Sequence, residues 1–355
     1  MTDRTYRVGV VGLSGISAGR PPVDVGEVLR TPLPTSHVSA YAALPQTSVV
    51  AVCDLKPEQL AAFRERWGDV FPDARAYADV REMLDREGLN ILSVVTPDHA
   101  HADIVVDAAG HGVRGIACEK PLATTVADCD RMLAACEANG TVLSVDHTRR
   151  FRAPYQAARQ AIRRGVIGRV QRIIASMGGP RAMLFRNGTH LIDGVCFFAE
   201  SDPAWVFAEL DPGFEDYAVY RGDGGRDPAT DPGGSGYVRF RNGVRALVNC
   251  SKGQSPAFIL QVIGEQGEID VAMDHAVLRR GTHEAELLSP PLHMRTGIAA
   301  YLEELIRVME QGGETGSSPR AARSPPPTPA ATSSTVATRS LNAIENRSSL
   351  DYSRG

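Results

Sequence analysis

The stretch Arg7-Val8-Gly9-Val10-Val11-Gly12-Leu13-Ser14-Gly15-Ile16-Ser17 decides the fold. Its opening half, Arg7–Val11, is an apolar run of strand length that enters a glycine-bearing turn without a break. A strand followed by G-x-G-x-x-G/A marks a dinucleotide turn, where glycines allow a tight bend and bring backbone amides close to a pyrophosphate. Only Gly12 stands in register here. Ser14 and Ser17 replace the other two glycines, and Gly15 restores some backbone freedom. Gly12, Ser14, Gly15 and Ile16 are the candidate cofactor contacts of this turn.

Such a turn needs an acidic residue about 20 positions later, at the end of the second strand, to hold the adenosine ribose hydroxyls. Asp54 ends the apolar run Val49–Cys53 but lies 42 positions after Gly12. The stretch Ala18–Ser36, with four prolines and no clear period, reads as an insertion, and removing its 19 residues leaves a separation of 23. A helix then begins near His37. An Asp at this place favours NAD, because its charge repels a 2′-phosphate, while nearby Lys56 leaves NADP open.

Outward from the turn, strands alternate with helices. Val49–Cys53, Ile91–Val95, Gly115–Cys118 and Val142–Val145 read as strands, and Pro57–Trp67, Asp79–Glu87, His101–Ala109 and Thr125–Asn139 as helices. The class is α/β, an N-terminal Rossmann doubly wound parallel sheet. After about Phe151 the pattern changes to helices Pro154–Arg164 and Thr189–Phe198 with a series of short strands, the signature of an α+β domain with a largely antiparallel, open sheet. Asn242-Gly243 between two of these strands predicts a type I′ hairpin. Asp211–Gly234, rich in Gly, Asp and Pro, reads as a long surface loop. The expected domains are 1–122, with its last helix and strand extending to about 150, then 123–312, then a low-complexity, disordered tail over 313–355.

Composition narrows the function classes. The chain has 355 residues, 43% of them hydrophobic, and a formal charge of −4, which gives no electrostatic footprint for nucleic acid. No apolar stretch approaches the roughly 18–20 residues of a membrane span, and the N-terminus enters a strand without a signal-peptide pattern. Six scattered cysteines with no CxxC pair read as reduced thiols of a cytoplasmic protein.

Glu119-Lys120-Pro121 carries the most chemistry, because it directly follows the strand Gly115–Cys118. Ligands of open parallel sheets collect at the carboxyl ends of strands, so Lys120 and Glu119 would lie beside a bound cofactor. A desolvated lysine near a cationic nicotinamide ring has a lowered proton affinity and can exchange a proton with an alcohol or ketone. Thr96-Pro97 ends another strand and is followed by His99 and His101; capping or cofactor contact is expected of Thr96, Pro97 and His101. The H-x-H pair has no third ligand at metal-like spacing, and no metal is expected. His147 and Arg149 follow the strand Val142–Val145 and are candidate substrate contacts. Farther on, Asn187-Gly188-Thr189-His190-Leu191-Ile192-Asp193 opens an apolar helix. His190 and Asp193 are three apart and share a face, so the carboxylate can orient an acid–base imidazole.

Together these pieces, Gly12 with its strand, Thr96-Pro97, Glu119-Lys120-Pro121-Leu122, His147 to Phe151 and Gly188 to Asp193, resemble the Gfo/Idh/MocA family (glucose-fructose oxidoreductase, inositol dehydrogenase, rhizopine catabolism) over about residues 5–312. The resemblance implies an NAD(P)-dependent oxidoreductase that moves a hydride between the nicotinamide and a secondary alcohol or ketone of a sugar, polyol or glycoside. It also implies that Lys120 and His190 are the proton-transfer pair, that Lys120-Pro121 is a cis peptide, and that copies associate as dimers or tetramers through the open sheet face. Two other readings stand beside it, an NAD-dependent glycosidase of the same fold and a non-catalytic dinucleotide sensor. Three departures are visible: the serine-substituted turn with its insertion, Arg186 where the family commonly has an Asp, and the Arg-Ser-Pro-Thr tail, whose character resembles a GC-rich gene read in a shifted frame. Arg186 and Asn187 are candidate substrate contacts, and Arg186 suits a substrate with an acidic group.

Overall fold

The computed structural model describes residues 5–21, 34–215, 217, 220, 226–281, 285–288 and 295–317. The chain divides into two units. One holds the described residues within 1–123, 127–151 and 293–319, and the other those within 124–126 and 152–292.

In the first unit β1 (Tyr6–Val11) leads to α1 (Gly15–Ala18), α2 (His37–Ala42), β2 (Thr47–Cys53), α3 (Pro57–Trp67), β3 (Arg75–Tyr77), α4 (Val80–Glu87), β4 (Ile91–Val94), α5 (His101–Gly110), β5 (Gly115–Cys118), α6 (Val126–Asn139) and β6 (Val142–Val145). All six strands are parallel, in the order β3-β2-β1-β4-β5-β6. Strand order reverses between β1 and β4, the switch point where ligands of such sheets gather. Every residue of β4 and β5 is buried, as strands covered on both faces require. Val8 and Val10 turn to one helix layer with Tyr41, Phe63 and Trp67, whereas Val11 turns to the other with Met83, Val105 and Met132.

The local signals act as read. Pro57 lies in the first turn of α3, and Asp79 caps α4 by accepting the N–H groups of Arg81 and Glu82. The expected insertion does interrupt the first Rossmann helix, which stops as α1 and resumes as α2. Its two ends are stitched together: Ser36 Oγ donates to the Gly19 carbonyl at 2.5 Å and accepts the Ser39 N–H at 3.1 Å. Residues 22–33 between them lie outside the described residues. The short edge strand β3 has no apolar run to announce it. Arg75 and Tyr77 hold it instead, both bonding the buried carboxylate of Glu87, with Arg75 Nε at 2.7 Å.

The second unit runs through α7 (Ala153–Arg163), β7 (Val170–Gly178), α8 (Gly188–Ala199), β8 (Pro203–Leu210), β9 (Gly234–Phe240), β10 (Arg245–Ser251), β11 (Ala257–Gly264), β12 (Glu268–Val271), β13 (Ala276–Arg279) and β14 (Glu286–Leu287). Its eight strands pair in the order β14-β13-β12-β11-β7-β10-β9-β8, antiparallel except for β7 with β10. Tyr155 of α7 and Leu191, Val195 and Phe198 of α8 pack with Ile173, Ala246, Leu260 and Ile269 of the sheet. The helix lies close enough that a side chain at Gly194 would meet Leu260 Cδ1 at 2.7 Å. The β9–β10 hairpin corrects one expectation. Gly243 has φ +95°, but Asn242 has no positive φ, so the turn is not type I′. Phe240 and Val244 close a three-residue loop, with the Gly243 N–H donating to Phe240 O at 3.1 Å.

The domain limits need correction at their far end. The helix α9 (Gly297–Gln311), expected in the second domain, belongs to the first unit. Tyr301, Leu302 and Leu305 join the layer of Val8, Tyr41 and Trp67, and the Tyr301 hydroxyl donates to Ser144 O at 2.7 Å. The physical reason is coverage: α9 closes the sheet face over β5 and β6, which α2 and α3 leave bare. The expected tail from 313 is also packed at its start, since Ser317 O accepts the Val145 N–H at 3.1 Å and Thr315 and Ser317 are buried. The remainder of that tail lies outside the described residues. Tyr301→Phe removes the bond to Ser144 O, and chemical denaturation should show a loss of about 1 kcal/mol.

Candidate functional site

Each cofactor-side expectation falls at the carboxyl end of a strand in the first sheet. After β1, Gly12 takes φ +81° and donates its N–H to Cys53 O at 2.8 Å. A β-carbon there would lie 2.6 Å from Val95 O and 3.0 Å from Thr96 N, so only glycine lets the turn pass β4. Ser14, Gly15 and Ile16 are exposed, and at Gly15 nothing lies within 4 Å of a β-carbon position. The turn therefore presents open backbone where a pyrophosphate would bind. After β2, Asp54 Oδ2 accepts the Leu13 N–H at 2.8 Å and Oδ1 the Lys56 N–H at 3.0 Å. The acidic residue thus braces the glycine turn, and the spacing corrected for the insertion finds it at the strand end.

After β4, the buried Thr96 Oγ1 has no hydrogen-bond partner among the described residues, and Pro97 is exposed. This orphaned hydroxyl, with the glycine cradle and Asp54, fits the polar edge of a dinucleotide. His101 is a different case. It is buried, its Nε2 lies 2.9 Å from Thr96 O and its Nδ1 3.0 Å from Pro121 O. Burial lowers its proton affinity, and both ring nitrogens face protein carbonyls. His101 thus ties the Thr96-Pro97 turn to the turn after β5.

After β5, Lys120 is half-buried and joined to Pro121 by a cis peptide bond. Its backbone N–H donates to Glu119 Oε2 at 3.1 Å. The other carboxylate oxygen of Glu119 lies 3.5 Å from His37 Nε2, which is also 3.3 Å from Asp146 Oδ2. His37 heads α2, and Asp146 directly follows β6. Sequence reasoning singled out neither residue. His147, also after β6, is buried, and Arg149 is half-buried on the turn Thr148–Phe151.

In the second unit α8 begins with Gly188 and carries His190, half-buried in its first turn, and Asp193, 1% exposed. The side-chain amide of Asn187 donates to Arg181 O at 2.8 Å. Arg186 is half-buried, and its carbonyl accepts the Thr189 hydroxyl at 2.7 Å. The segment before α8 is pinned by a residue the sequence did not mark. Asp231, 2% exposed, accepts the Phe185 N–H at 3.1 Å, so the end of the long loop is buried rather than on the surface.

Two family profiles match the chain, the oxidoreductase family with NAD-binding Rossmann fold over residues 6–147 and the Gfo/Idh/MocA C-terminal domain over residues 155–270. The chain belongs to the Gfo/Idh/MocA family. Among its relatives, D-apiose dehydrogenase of Paraburkholderia graminis is 28% identical over 316 residues, covering 80% of each chain. Inositol 2-dehydrogenase of Burkholderia multivorans is 31% identical over 165 residues, 46% of this chain and 43% of the relative. Among solved structures, aldose-aldose oxidoreductase from Caulobacter crescentus superposes with a TM-score of 0.75 at 18% identity, covering 97% of each chain. The WlbA dehydrogenase from Bordetella pertussis, solved with NADH and UDP-GlcNAcA, superposes with a TM-score of 0.69 at 20% identity, covering 96% of this chain and 97% of that one. Like other Gfo/Idh/MocA members, this protein is an NAD-binding oxidoreductase. No helix among the described residues is long and apolar enough to cross a membrane.

Proposed function

We propose that the chain oxidises a secondary alcohol of a sugar or polyol with NAD, or reduces the matching ketone, and that Lys120 carries the proton. The observation behind this reading is positional: the glycine turn, Asp54, Thr96 and Lys120 follow four strands along one edge of one sheet. Gly12 to Ile16 would hold the pyrophosphate, Asp54 the adenosine ribose, and Thr96 with Glu119 the nicotinamide side. Bound there, NAD supplies a hydride acceptor, or NADH a donor. Lys120 Nζ takes the hydroxyl proton on oxidation and returns it on reduction. His190, held by a helix whose next turn buries Asp193, is the second acid–base group. Arg186 suits a substrate with a carboxylate or phosphate, and His147 and Arg149 are the substrate contacts proposed for the first unit. The test is a panel of aldoses, polyols and sugar acids with NAD or NADP, followed by the absorbance of the reduced nicotinamide. Turnover with NAD exceeding that with NADP is expected from the charge of Asp54; no turnover with any member would remove the reading.

The second sheet supports association of copies. Trp205, Phe207, Leu247 and Ile259 leave 54%, 69%, 46% and 49% of their surface exposed on strands β8, β10 and β11. Trp205 stacks on Tyr237 at 5.2 Å, so the apolar surface continues across β9. Exposed apolar surface of this extent marks an interface, and we assign it to a homodimer or homotetramer. Sedimentation of Phe207→Glu should show smaller particles than the wild type, with NAD still bound. The six free cysteines are consistent with the cytoplasm.

A further inference from the structure

His37, Glu119 and Asp146 place one imidazole and two carboxylates together in the first unit. The side chains of His37 and Asp146 are wholly buried, and that of Glu119 is 13% exposed. His37 Nδ1 lies 3.0 Å from Ser93 Oγ, which is 2.8 Å from the Tyr41 hydroxyl. Its Nε2 lies 3.3 Å from Asp146 and 3.5 Å from Glu119. A hydroxyl lies on one ring nitrogen, and the other stands against two carboxylate oxygens with no aligned hydrogen bond among the described residues, which suits an ion pair with a charged ring. Two carboxylates this close and this dry also need a compensating cation.

The surrounding groups leave few candidates for that cation. Tyr301 of α9 meets the His37 ring edge-on at 6.4 Å, and burial pushes its hydroxyl well above its usual range, as it does for Tyr41 and the Cys118 thiol. Burial lowers His101. The two tyrosines and the Cys118 thiol are therefore neutral, and against its own burial Glu119 is lowered by His37 first, then by Lys120 and His101. We propose that His37 is held as an imidazolium between the two carboxylates and is a positioning residue for Lys120, its charge offsetting Glu119 so that the lysine gives up its proton readily. The proposal rests on the reading of Lys120 as the proton-transfer group. Without the imidazolium, the Glu119 carboxylate would stabilise the Lys120 ammonium and leave less of the lysine as free amine at neutral pH.

The electrostatics agree in direction. Burial opposes charge on His37, but Asp146 and Glu119 outweigh it and raise its pKa from 6.5 to about 9. Asp146 is pushed up by burial and by Glu119, whereas Glu119 is pulled down by His37 against its own burial. Since the folded value for His37 exceeds the unfolded one, its contribution to stability is fully present below about pH 6.5 and is lost as pH rises through about 9.

The test has two arms. In the full-length protein, one of the nine histidines should show imidazolium shifts at neutral pH, titrate near pH 9, and vanish from the spectrum of His37→Gln. A neutral His37 ring at neutral pH overturns the proposal. The three donor groups also lie within 4.8 Å of one another, a spacing that a metal ion can bridge. Stoichiometric zinc added to chelator-treated protein should leave the His37 signal unchanged; a zinc-dependent shift overturns the proposal. The second arm is the pH profile of alcohol oxidation. In His37→Gln the acid limb should move up by about one pH unit. Lower turnover with an unmoved limb would mean a merely structural histidine, against the proposal. A limb that survives in Lys120→Met would instead refute the role of Lys120, and the histidine spectrum would still report His37 separately.

Discussion

Lys120→Met is expected to lower kcat for alcohol oxidation by roughly 10³, within the usual range for losing a positioned general base. NAD affinity should change far less, because the turn at Gly12 and the carboxylate of Asp54 lie on other strands. Lys120→Arg should not restore turnover, since a guanidinium keeps its proton at any working pH and cannot serve as base. Steady-state kinetics with a fluorescence titration of NADH separates the two effects. A variant that loses cofactor binding and turnover together would make Lys120 a cofactor contact only.

Gly12→Ala carries the other large effect. The residue has φ +81°, and the new methyl would sit 2.6 Å from Val95 O, which is backbone and cannot swing aside. The left-handed conformation alone costs roughly 1–2 kcal/mol, and relieving the contact must shift the turn against β4. NAD affinity should fall at least about tenfold, since each 1.4 kcal/mol is a factor of ten. Gly15→Ala is the control: at φ +35° it carries left-handed strain as well, but nothing lies within 4 Å of the new methyl, so its loss should be smaller by the cost of the clash alone. Equal losses in the two variants would show that close approach to β4 is not what fixes Gly12.

The contrast between these glycines shows how far sequence reading reached. The register of Gly12 after an apolar strand was legible, and so was Asp54 once the interrupted helix between Ala18 and His37 was discounted. Lys120 was legible because a single apolar run places it at a strand end. The partners of Glu119 were not. His37 lies 82 positions before Glu119 and Asp146 lies 27 positions after it, and only the strand order and the α2 packing bring their side chains together. The same limit applies to α9. Its apolar period marks a helix, but no local signal says that Tyr301 bonds Ser144 in the first unit. The hairpin at Asn242-Gly243 failed for a local reason: one more residue in the loop makes Asn242 adopt an ordinary φ and leaves only Gly243 positive. Asn187 and His101 were read as facing ligands because polar residues at element ends commonly do. Each also contacts backbone carbonyls, which no local signal in the sequence announced.

Hydride transfer to NAD is the central claim, and isotope labelling tests it most directly. The alcohol that the absorbance panel identifies is prepared with deuterium on its carbinol carbon and oxidised by the wild-type protein. The expected result is one deuterium on C4 of each NADH formed, with none taken from solvent. Net conversion of the alcohol while NADH gains no deuterium, or gains it from solvent, would contradict the account.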